Sequence, residues 1–499
     1  MTLSQDSPLF RQLLLINIML MAALEFMQNG MVSFASAFIS GGVGAAPEEF
    51  SLAAAAYAGT AILMISKHHW LVQRLGYRRF IRLSLLLFTL GALASAMAGS
   101  THELIAGRML QALGGSAFFT GARVQVNRFV GAERGISIRY LASGLIGASA
   151  LAPWLASRLL SSYSWQGIFL GPLLLVLPVA ILSELTLDDH INKTRQARLH
   201  PMGTVMLAAA IFCVQYALER VPYDFYSDEI KIGLLLLIGV PCLLYYINGQ
   251  LARPRPLLPF ERFMSDRYRA GMVIYGVCYL VLSSSNYMLP IMMQRGLDFP
   301  VLSTGAILSA ASLLSIVIAL GHVTLVKRYP LQRKYLVLAF SMLALFGFGL
   351  SQVSPDIARW QLVLPLCAFS VFSALGQGTA ALNTFAGIDE DVFSQAYQTK
   401  NMLREMFNST GISLATILFQ ARSTLHYQRI AEQIDGQRLG FTSDFASLAG
   451  ASPDPSRWQS LASMVTQQST LMASLDFFFM IGCIGCCGVL LSLVQRRFR

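Results

Sequence analysis

Charged side chains are scarce in this sequence. Asp, Glu, Lys and Arg make up 13% of its 499 residues, whereas they make up about 25% of an ordinary soluble domain. Hydrophobic residues reach 55%, and the mean hydropathy is +0.56. This composition excludes a soluble globular domain and predicts an all-α, polytopic membrane protein.

Signals for chemistry at a cofactor or a metal are also lacking. The sequence has no G-x-x-x-x-G-K-[ST] loop to bind a nucleotide phosphate, and no clustered His/Asp or Ser/His set at either membrane interface. All seven cysteines fall in apolar stretches, and the run Cys483-x-x-Cys486-Cys487 has no acidic or histidine neighbour. We therefore expect no cofactor, no metal site and no catalytic residues, which argues against a polytopic membrane enzyme.

Long apolar runs are abundant instead. A transmembrane helix needs about 20 apolar residues, and runs of that length recur along the chain. The first run is too long for a cleavable signal peptide and lacks an A-x-A site, so we expect it to remain as the first span. The fourteen predicted spans are 13–39, 50–69, 80–99, 102–126, 135–160, 165–184, 202–219, 230–249, 270–292, 302–326, 335–352, 359–384, 395–421 and 470–494.

Basic residues divide unequally between the two sides of these spans. If the N-terminus is cytosolic, the loops on that side hold 25 of the 37 Lys and Arg residues, with Lys400 among them, and the other side holds nine. The positive-inside rule then places both termini in the cytoplasm of a bacterial inner membrane. The net charge of +11 follows from this topology and from anionic lipid at the inner face. It gives no support to nucleic-acid binding.

Two predicted cytosolic loops resemble each other. Leu71-Val72-Gln73-Arg74 follows the second span, and Leu325-Val326-Lys327-Arg328 follows the tenth. This likeness predicts an internal duplication of spans 1–6 and 9–14, with spans 7 and 8 inserted between the halves. The expected parts are an N-terminal six-helix bundle (1–185), a two-helix insert with cytosolic linkers (186–269) and a C-terminal six-helix bundle (270–499).

The stretch 102–126 carries polar residues inside an apolar run. At about 100° per residue, Gly107, Gly114 and Gly121 form one stripe that suits close helix packing. Arg108 and Gln111 form a second face. An unpaired arginine in lipid costs about 2.5–3.5 kcal/mol on insertion scales, so Arg108 should point into the bundle or into a wet cavity.

One acidic residue lies near the middle of the first span. Glu25 shares a wedge of the helix with Gln28 and Asn29. A carboxylate at that depth is a candidate proton site, and we expect Arg108, in the same bundle, to tune its proton affinity. A neutral, hydrogen-bonded structural role for Glu25 is the alternative. Gln28, Asn29 and Gln111 are predicted to line a substrate cavity.

A second polar face lies in the thirteenth span. Its residues recur at i, i+3, i+4 and i+7: Asn401, Arg404, Glu405 and Asn408. They share one side of the helix, which should therefore line water. In the alternative reading, Arg404 and Glu405 only neutralise each other where the helix enters the membrane.

Aromatic and amide groups lie in the ninth span, which is the predicted repeat of the first. Tyr279 and Asn286 are the candidates to line the cavity from this side. Such a surface suits a bulky amphipathic organic molecule, held by stacking and a few polar contacts.

Three motifs, in this order, resemble those of the major facilitator superfamily. They are Trp70–Arg79, Arg108-x-x-Gln111-x-x-Gly114-Gly115, and Ala152-Pro153-x-x-Ala156. The segments Arg255–Phe263 and Leu289–Gln294, with Arg404 ahead of Asn408–Gly411, resemble the fourteen-span drug/proton antiporters of EmrB/QacA type. The resemblance covers almost the whole chain, and the order and spacing of the motifs are more specific than any one of them.

This resemblance implies the major facilitator fold, in which two six-helix bundles rock about a central site. It also implies gating roles for Arg74, Gly76, Arg78 and Pro153. We expect a proton-coupled secondary transporter that exports small amphipathic organic compounds. The alternatives are a proton-coupled importer, a siderophore- or metabolite-specific exporter, and a sensor-like pseudo-transporter.

The sequence departs from the family pattern at three positions. Motif A of the family usually carries Gly and Asp where this chain has His69 and Gln73, and motif C usually has Gly where this chain has Ala152. The missing acid puts the usual charge lock of the cytosolic gate in doubt. Small neighbours of Ala152 should still allow close helix approach.

The expected partners are membrane lipid, protons and a small-molecule substrate. The long loop 422–469 is predicted to lie in the periplasm and to be partly ordered, with an amphipathic start at Leu425–Gln433. By resemblance only, we expect it to dock a periplasmic adaptor that leads to an outer-membrane channel. A solvated insertion without partners is the alternative.

Overall fold

The part of the chain that the structure describes folds into helices. The computed structural model describes residues 7–188, 200–224, 228–253, 256–433 and 455–495, and contains no strand within those ranges. The helices are α1 (Pro8–Phe34), α2 (Ser36–Val43), α3 (Pro47–Leu75), α4 (Tyr77–Ala96), α5 (Thr101–Gly115), α6 (Phe118–Gln125), α7 (Ala132–Ser162), α8 (Gly167–Leu170), α9 (Val176–Thr186), α10 (Pro201–Asp224), α11 (Glu229–Leu251), α12 (Phe260–Phe263), α13 (Asp266–Ile291), α14 (Val301–Arg328), α15 (Gln332–Ser351), α16 (Val363–Thr384), α17 (Glu390–Gln433) and α18 (Pro455–Val494).

Twelve helices within the described ranges are long and apolar enough to cross a membrane. The all-helical, multi-pass class is thus confirmed, whereas the count of fourteen spans stays a prediction. Two predicted spans are missing from the twelve. The span 102–126 is broken at Ser116–Ala117 into α5 and α6, each too short by itself. The second is in α17, where Lys400, Arg404 and Glu405 lie within six residues of one another and lower its apolar character.

The helices pack in two groups with a pair between them. The helices α1, α3 to α7 and α9 contact one another, and α13 to α18 contact one another. The pair α10–α11 lies against both groups, because α10 packs on α3 and on α17. Gln215 of α10 accepts a hydrogen bond from Ser409 of α17 at 2.9 Å, so the pair is anchored close to the middle of α17.

Glycines set how closely the helices of the first group approach each other. A Cβ at Gly114 of α5 would lie 2.6 Å from the backbone nitrogen of Phe88 in α4. The predicted close-packing stripe is therefore present. On α1, a Cβ at Gly30 would lie 2.7 Å from the Cβ of Ala152 in α7. The missing side chain of Gly30 thus leaves room for the methyl group of Ala152.

The segment 422–469, predicted to be a partly ordered outside loop, is helical over most of its length. Residues up to Gln433 continue α17, and α18 begins at Pro455, so only 434–454 lies outside the described residues. The polar residues that suggested a loop are helix contacts instead. Arg422 and His426 of α17 each lie 2.7 Å from a carboxylate oxygen of Asp476 in α18.

Candidate functional site

A cavity of about 480 Å³ lies between the two groups of helices. Its walls come from α1, α3, α5, α6 and α7 on one side and from α13, α14, α16 and α17 on the other. Six of the eight predicted cavity residues line it: Asn29, Tyr279, Asn286, Arg404, Glu405 and Asn408.

Gln28 and Gln111 do not line the cavity, although both were predicted to do so. Both side chains are fully buried among helices. The amide oxygen of Gln111 accepts a 2.6 Å hydrogen bond from Nη1 of Arg108. Its backbone also packs against Gly91 of α4, which draws it away from the cavity wall.

Three charged residues form a buried cluster beside the cavity. Arg404 on α17 forms ion pairs with Glu25 on α1 and with its own neighbour Glu405. The Nε of Arg404 lies 3.1 Å from Oε1 of Glu405. Arg404 and Glu25 are each 2% exposed. The pair between Glu25 and Arg404 joins the two groups of helices at the level of the cavity.

The break between α5 and α6 supplies a further partner for Glu25. The backbone N–H of Phe119 donates to Oε2 of Glu25 at 2.9 Å. Phe119 lies in the first turn of α6, where backbone N–H groups have no acceptor within the helix. A continuous helix through Ser116–Ala117 would use this donor for its own ladder, so the break contributes directly to the charged cluster.

Arg108 does not form the expected contact with Glu25. Its guanidinium lies over the ring of Tyr57 in α3, with Cζ 4.1 Å from the ring centroid, and donates to Gln111. Arg108 lines the cavity, as a polar face at this position predicts. The arginine that meets Glu25 comes from the other half of the chain, and helical periodicity within one span cannot reveal such a partner.

Lys400 was predicted to be a cytosolic loop residue, and that assignment is wrong. It lies inside α17, is 2% exposed and lines the cavity. Its ammonium nitrogen faces four aromatic rings, at 4.6 Å from the centroid of Tyr397 and 5.0 Å from that of Phe119. The signal was present in the sequence, because Lys400 precedes Arg404 by four residues and so shares its helical face.

The predicted gating residues lie at two places along the helices. Arg74 and Arg78 lie at the end of the molecule that carries most of the basic loops, here called the basic end. Arg74 lies over Trp70, with Cζ 4.7 Å from the ring centroid, and Nε of Arg78 donates to the carbonyl of Leu187 at 2.8 Å. Gly76 joins α3 to α4 with φ +78°, a backbone conformation that favours glycine.

Pro153, the fourth predicted gating residue, lies on the cavity wall where α7 meets α14. A Cβ at Gly305 of α14 would lie 2.6 Å from the Pro153 carbonyl oxygen. The backbone N–H of Trp154 donates to the hydroxyl of Ser309 at 2.9 Å. The two groups of helices are therefore in tight contact toward the end opposite the basic end.

The two residues that depart from motif A are bonded to each other. The side-chain nitrogen of Gln73 lies 2.8 Å from Nε2 of His69. Other acidic residues form ion pairs at the basic end of the first group. Arg82 pairs with Glu184 at 2.7 Å, and Arg128 pairs with Asp188 at 3.0 Å. Carboxylates within α9 and just after it therefore pair with arginines at this end.

Helix order, the two packed groups and the motif positions agree with one family. The sequence profile of the Major Facilitator Superfamily matches residues 18–416. The chain belongs to the Major Facilitator Superfamily.

Relatives of this superfamily member include multidrug transporters. It is 22% identical to the multidrug export protein EmrB of Haemophilus influenzae over 433 residues, which cover 85% of this chain and 83% of that protein. It is 26% identical to the putative multidrug resistance protein MdtD of Enterobacter sp. (strain 638) over 408 residues, which cover 79% and 83%. The superfamily and these relatives make the protein a transporter and not an enzyme.

Solved structures of other transporters share its fold. An inward-facing bacterial homologue of the human lysosomal transporter Spinster aligns over 98% of both chains with a TM-score of 0.57 at 12% identity. A bacterial homologue of the human drug peptide transporters PepT1 and PepT2 aligns over 97% of both chains with a TM-score of 0.58 at 13% identity. At these identities the likeness establishes the fold alone.

Proposed function

We propose that this transporter exports small amphipathic organic compounds by alternating access, in exchange for protons. The observation that carries the proposal is the ion pair between Glu25 and Arg404, buried beside a cavity of about 480 Å³. Because the pair joins the two groups of helices, its charge state and their relative position are linked. The relatives EmrB, a multidrug export protein, and MdtD, a putative multidrug resistance protein, support organic compounds as cargo.

Glu25 is the proposed proton carrier. Protonation removes the negative charge that holds Arg404, and the joint between α1 and α17 weakens. The other charged groups that face this joint are Glu405 and Lys400, both on α17. One charge moved down 100 mV supplies about 2.3 kcal/mol. At about 1.4 kcal/mol per decade this sustains roughly a fortyfold substrate gradient.

The moving parts in this proposal are the bundles 1–185 and 270–499, with the insert 186–269 resting on both. Arg74, Gly76, Arg78 and Pro153 act as gating residues at the two ends of the path. The proposed topology has fourteen spans, with the basic end and both termini in the cytoplasm of a bacterial inner membrane.

The direction of coupling can be measured with permanently charged probes, which a pH gradient alone does not redistribute. Purified protein is reconstituted into proteoliposomes with naphthalene-2-sulfonate or (2-naphthylmethyl)trimethylammonium outside. An acidic lumen should drive accumulation of probe inside, and dissipation of the gradient should abolish it. Accumulation only when the outside is acidic would overturn export in favour of uptake.

One observation favours proton-coupled uptake as the second candidate. Cations outnumber acids in the cavity wall among the described residues. The lining cations are Arg108, Arg123, Arg139, Lys400 and Arg404, whereas Glu405 is the lining carboxylate. An acidic substrate would bind more tightly when Glu25 is protonated. Protonation removes a negative charge that repels the substrate and competes with it for Arg404. Proton and substrate that bind together and travel together would move inward.

A periplasmic adaptor that leads to an outer-membrane channel remains the proposed partner. The segment proposed to dock it is 434–454, which lies outside the described residues. Deletion of 436–454 should abolish co-purification of the adaptor and leave both flanking helices and the membrane level intact. Survival of co-purification would show that the dock lies elsewhere.

A further inference from the structure

Two buried cations share one aromatic ring in the cavity wall. The Nζ of Lys400 lies 5.0 Å from the centroid of the Phe119 ring, and Cζ of Arg404 lies 4.9 Å from the same centroid. Each residue is 2% exposed. Like charges this close in a low-dielectric site repel each other strongly, so the arrangement calls for a negative charge near both.

The protein supplies only part of that charge. Glu25 and Glu405 both pair with Arg404. No ion pair or hydrogen bond among the described residues includes Lys400, and Nη1 of Arg404 is buried without a hydrogen-bond partner. Both residues line the cavity. Two cationic donor groups are thus left without acceptors at one place in its wall.

The rings around Lys400 leave its hydrogen-bonding capacity unused. Its Nζ lies 5.2 Å from the centroid of Tyr275, 5.5 Å from that of Tyr279 and 4.6 Å from that of Tyr397. Cation–π contacts stabilise an ammonium charge, but its three N–H donors still need acceptors. Tyr275 and Tyr279 stack on each other with centroids 5.6 Å apart and planes at 6°, which presents a flat apolar surface beside the cations.

We propose that Lys400 and Nη1 of Arg404 bind the acidic group of an amphipathic organic anion, whose aromatic body packs on the Tyr275–Tyr279 stack. A carboxylate, sulfonate or phosphate oxygen satisfies both donors through charge-assisted hydrogen bonds. The inference rests on the proposed function in one respect, since it names the substrate class of the same cavity. It is tested by measuring binding without a pH gradient. The binding proposal can therefore be overturned while proton-coupled transport is confirmed, and transport can be overturned while binding is confirmed.

The first test compares three naphthalene ligands of matched size by isothermal titration calorimetry on the purified full chain. Naphthalene-2-sulfonate should bind at least about tenfold more tightly than 2-naphthalenemethanol, because the neutral alcohol forms no charge-assisted hydrogen bond. The cation (2-naphthylmethyl)trimethylammonium should bind more weakly still. Equal affinity for sulfonate and cation would overturn the proposal without the need for any variant.

The second test assigns the site to Lys400. Lys400→Met should weaken sulfonate binding by roughly 10- to 100-fold and leave the affinity for 2-naphthalenemethanol nearly unchanged. Lys400→Arg, which keeps the charge, should retain most of the affinity. The matched control is Lys334→Met, at an exposed position on α15. Unchanged sulfonate binding by Lys400→Met, or an equal loss in Lys400→Arg at unchanged melting temperature, would overturn the assignment.

The phosphate of a lipid headgroup is also an acidic group. A third experiment distinguishes a bound lipid from a bound soluble anion. Sulfonate binding is measured in nanodiscs of phosphatidylcholine and in nanodiscs with added phosphatidylglycerol. We expect equal affinity in both, since the cavity walls enclose the two cations. Displacement of sulfonate by phosphatidylglycerol would overturn the proposal in favour of a lipid occupant.

Discussion

Glu25 on α1 and Arg404 on α17, 379 residues apart in sequence, form a buried ion pair that links the two groups of helices. Each partner has a second anchor, since Glu25 accepts from the N–H of Phe119 and Arg404 pairs with Glu405. A change of charge at Glu25 therefore acts on α1, α6 and α17 together. This connection is what makes Glu25 a suitable proton carrier.

Arg404→Met should destabilise the protein by about 3–5 kcal/mol, because it leaves the carboxylates of Glu25 and Glu405 buried without their counter-ion. Addition of Glu25→Gln removes one of these charges, so the double variant should be more stable than Arg404→Met alone. The free energy of unfolding in mixed detergent measures both. Strictly additive losses would contradict the pairing.

A matched control for that cycle exists at the far end of α17. Arg422 pairs with Asp476 at 2.7 Å, but its side chain is 43% exposed. Arg422→Met should therefore cost less than about 1 kcal/mol, as exposed ion pairs do. A loss as large as that of Arg404→Met would show that the measured effect is not specific to the buried cluster.

Arg108→Ala should lower substrate affinity without shifting the pH of half-maximal transport. Its guanidinium contacts Tyr57 and Gln111 and lines the cavity, but makes no hydrogen bond to Glu25. The measurement is substrate flux as a function of pH in proteoliposomes, with wild type in parallel. A clear displacement of the pH midpoint would restore Arg108 to the proton pathway.

The topology can be checked with single cysteines in a cysteine-free background. Gly41 and Gly135 are suitable sites, since a Cβ at either meets nothing within 4 Å. Gly42 is unsuitable, because its Cβ would collide with the indole of Trp165. A membrane-impermeant thiol reagent should label Gly41→Cys in intact cells and Gly135→Cys only after permeabilisation. The reverse pattern would invert the proposed orientation.

The sequence predicted much of this molecule because its signals are local. Apolar runs predicted the helices, and the polar faces of α1, α13 and α17 predicted six residues of the cavity wall, among them Asn29, Asn286 and Asn408. The glycine stripe that includes Gly114 predicted the close contact between α5 and α4. Each of these properties follows from periodicity within a single helix.

What the sequence did not predict depends on contacts between distant segments. The partner of Glu25 was expected to be Arg108 and is Arg404, which lies in the other half of the chain. Lys400 was assigned to a loop because its charge was counted toward the cytosolic side, whereas aromatic rings from α6, α13 and α17 enclose it. The amphipathic start at Leu425–Gln433 is helical as predicted, but the pairing of Arg422 and His426 with Asp476 of another helix was not predicted.

Substrate flux through Glu25→Gln in proteoliposomes with an imposed pH gradient tests the central claim most directly. The variant keeps the shape of the side chain, replaces one of its two acceptor oxygens by an amide donor and removes its titrating charge. It should bind naphthalene-2-sulfonate at least as tightly as wild type, because a negative charge beside Arg404 is removed, and it should fail to accumulate the sulfonate against a gradient. Glu133→Gln, at a half-exposed carboxylate paired with Arg11, should accumulate it normally. Uphill accumulation by Glu25→Gln at a near wild-type rate would contradict the account and make Glu405 the next candidate for the proton site.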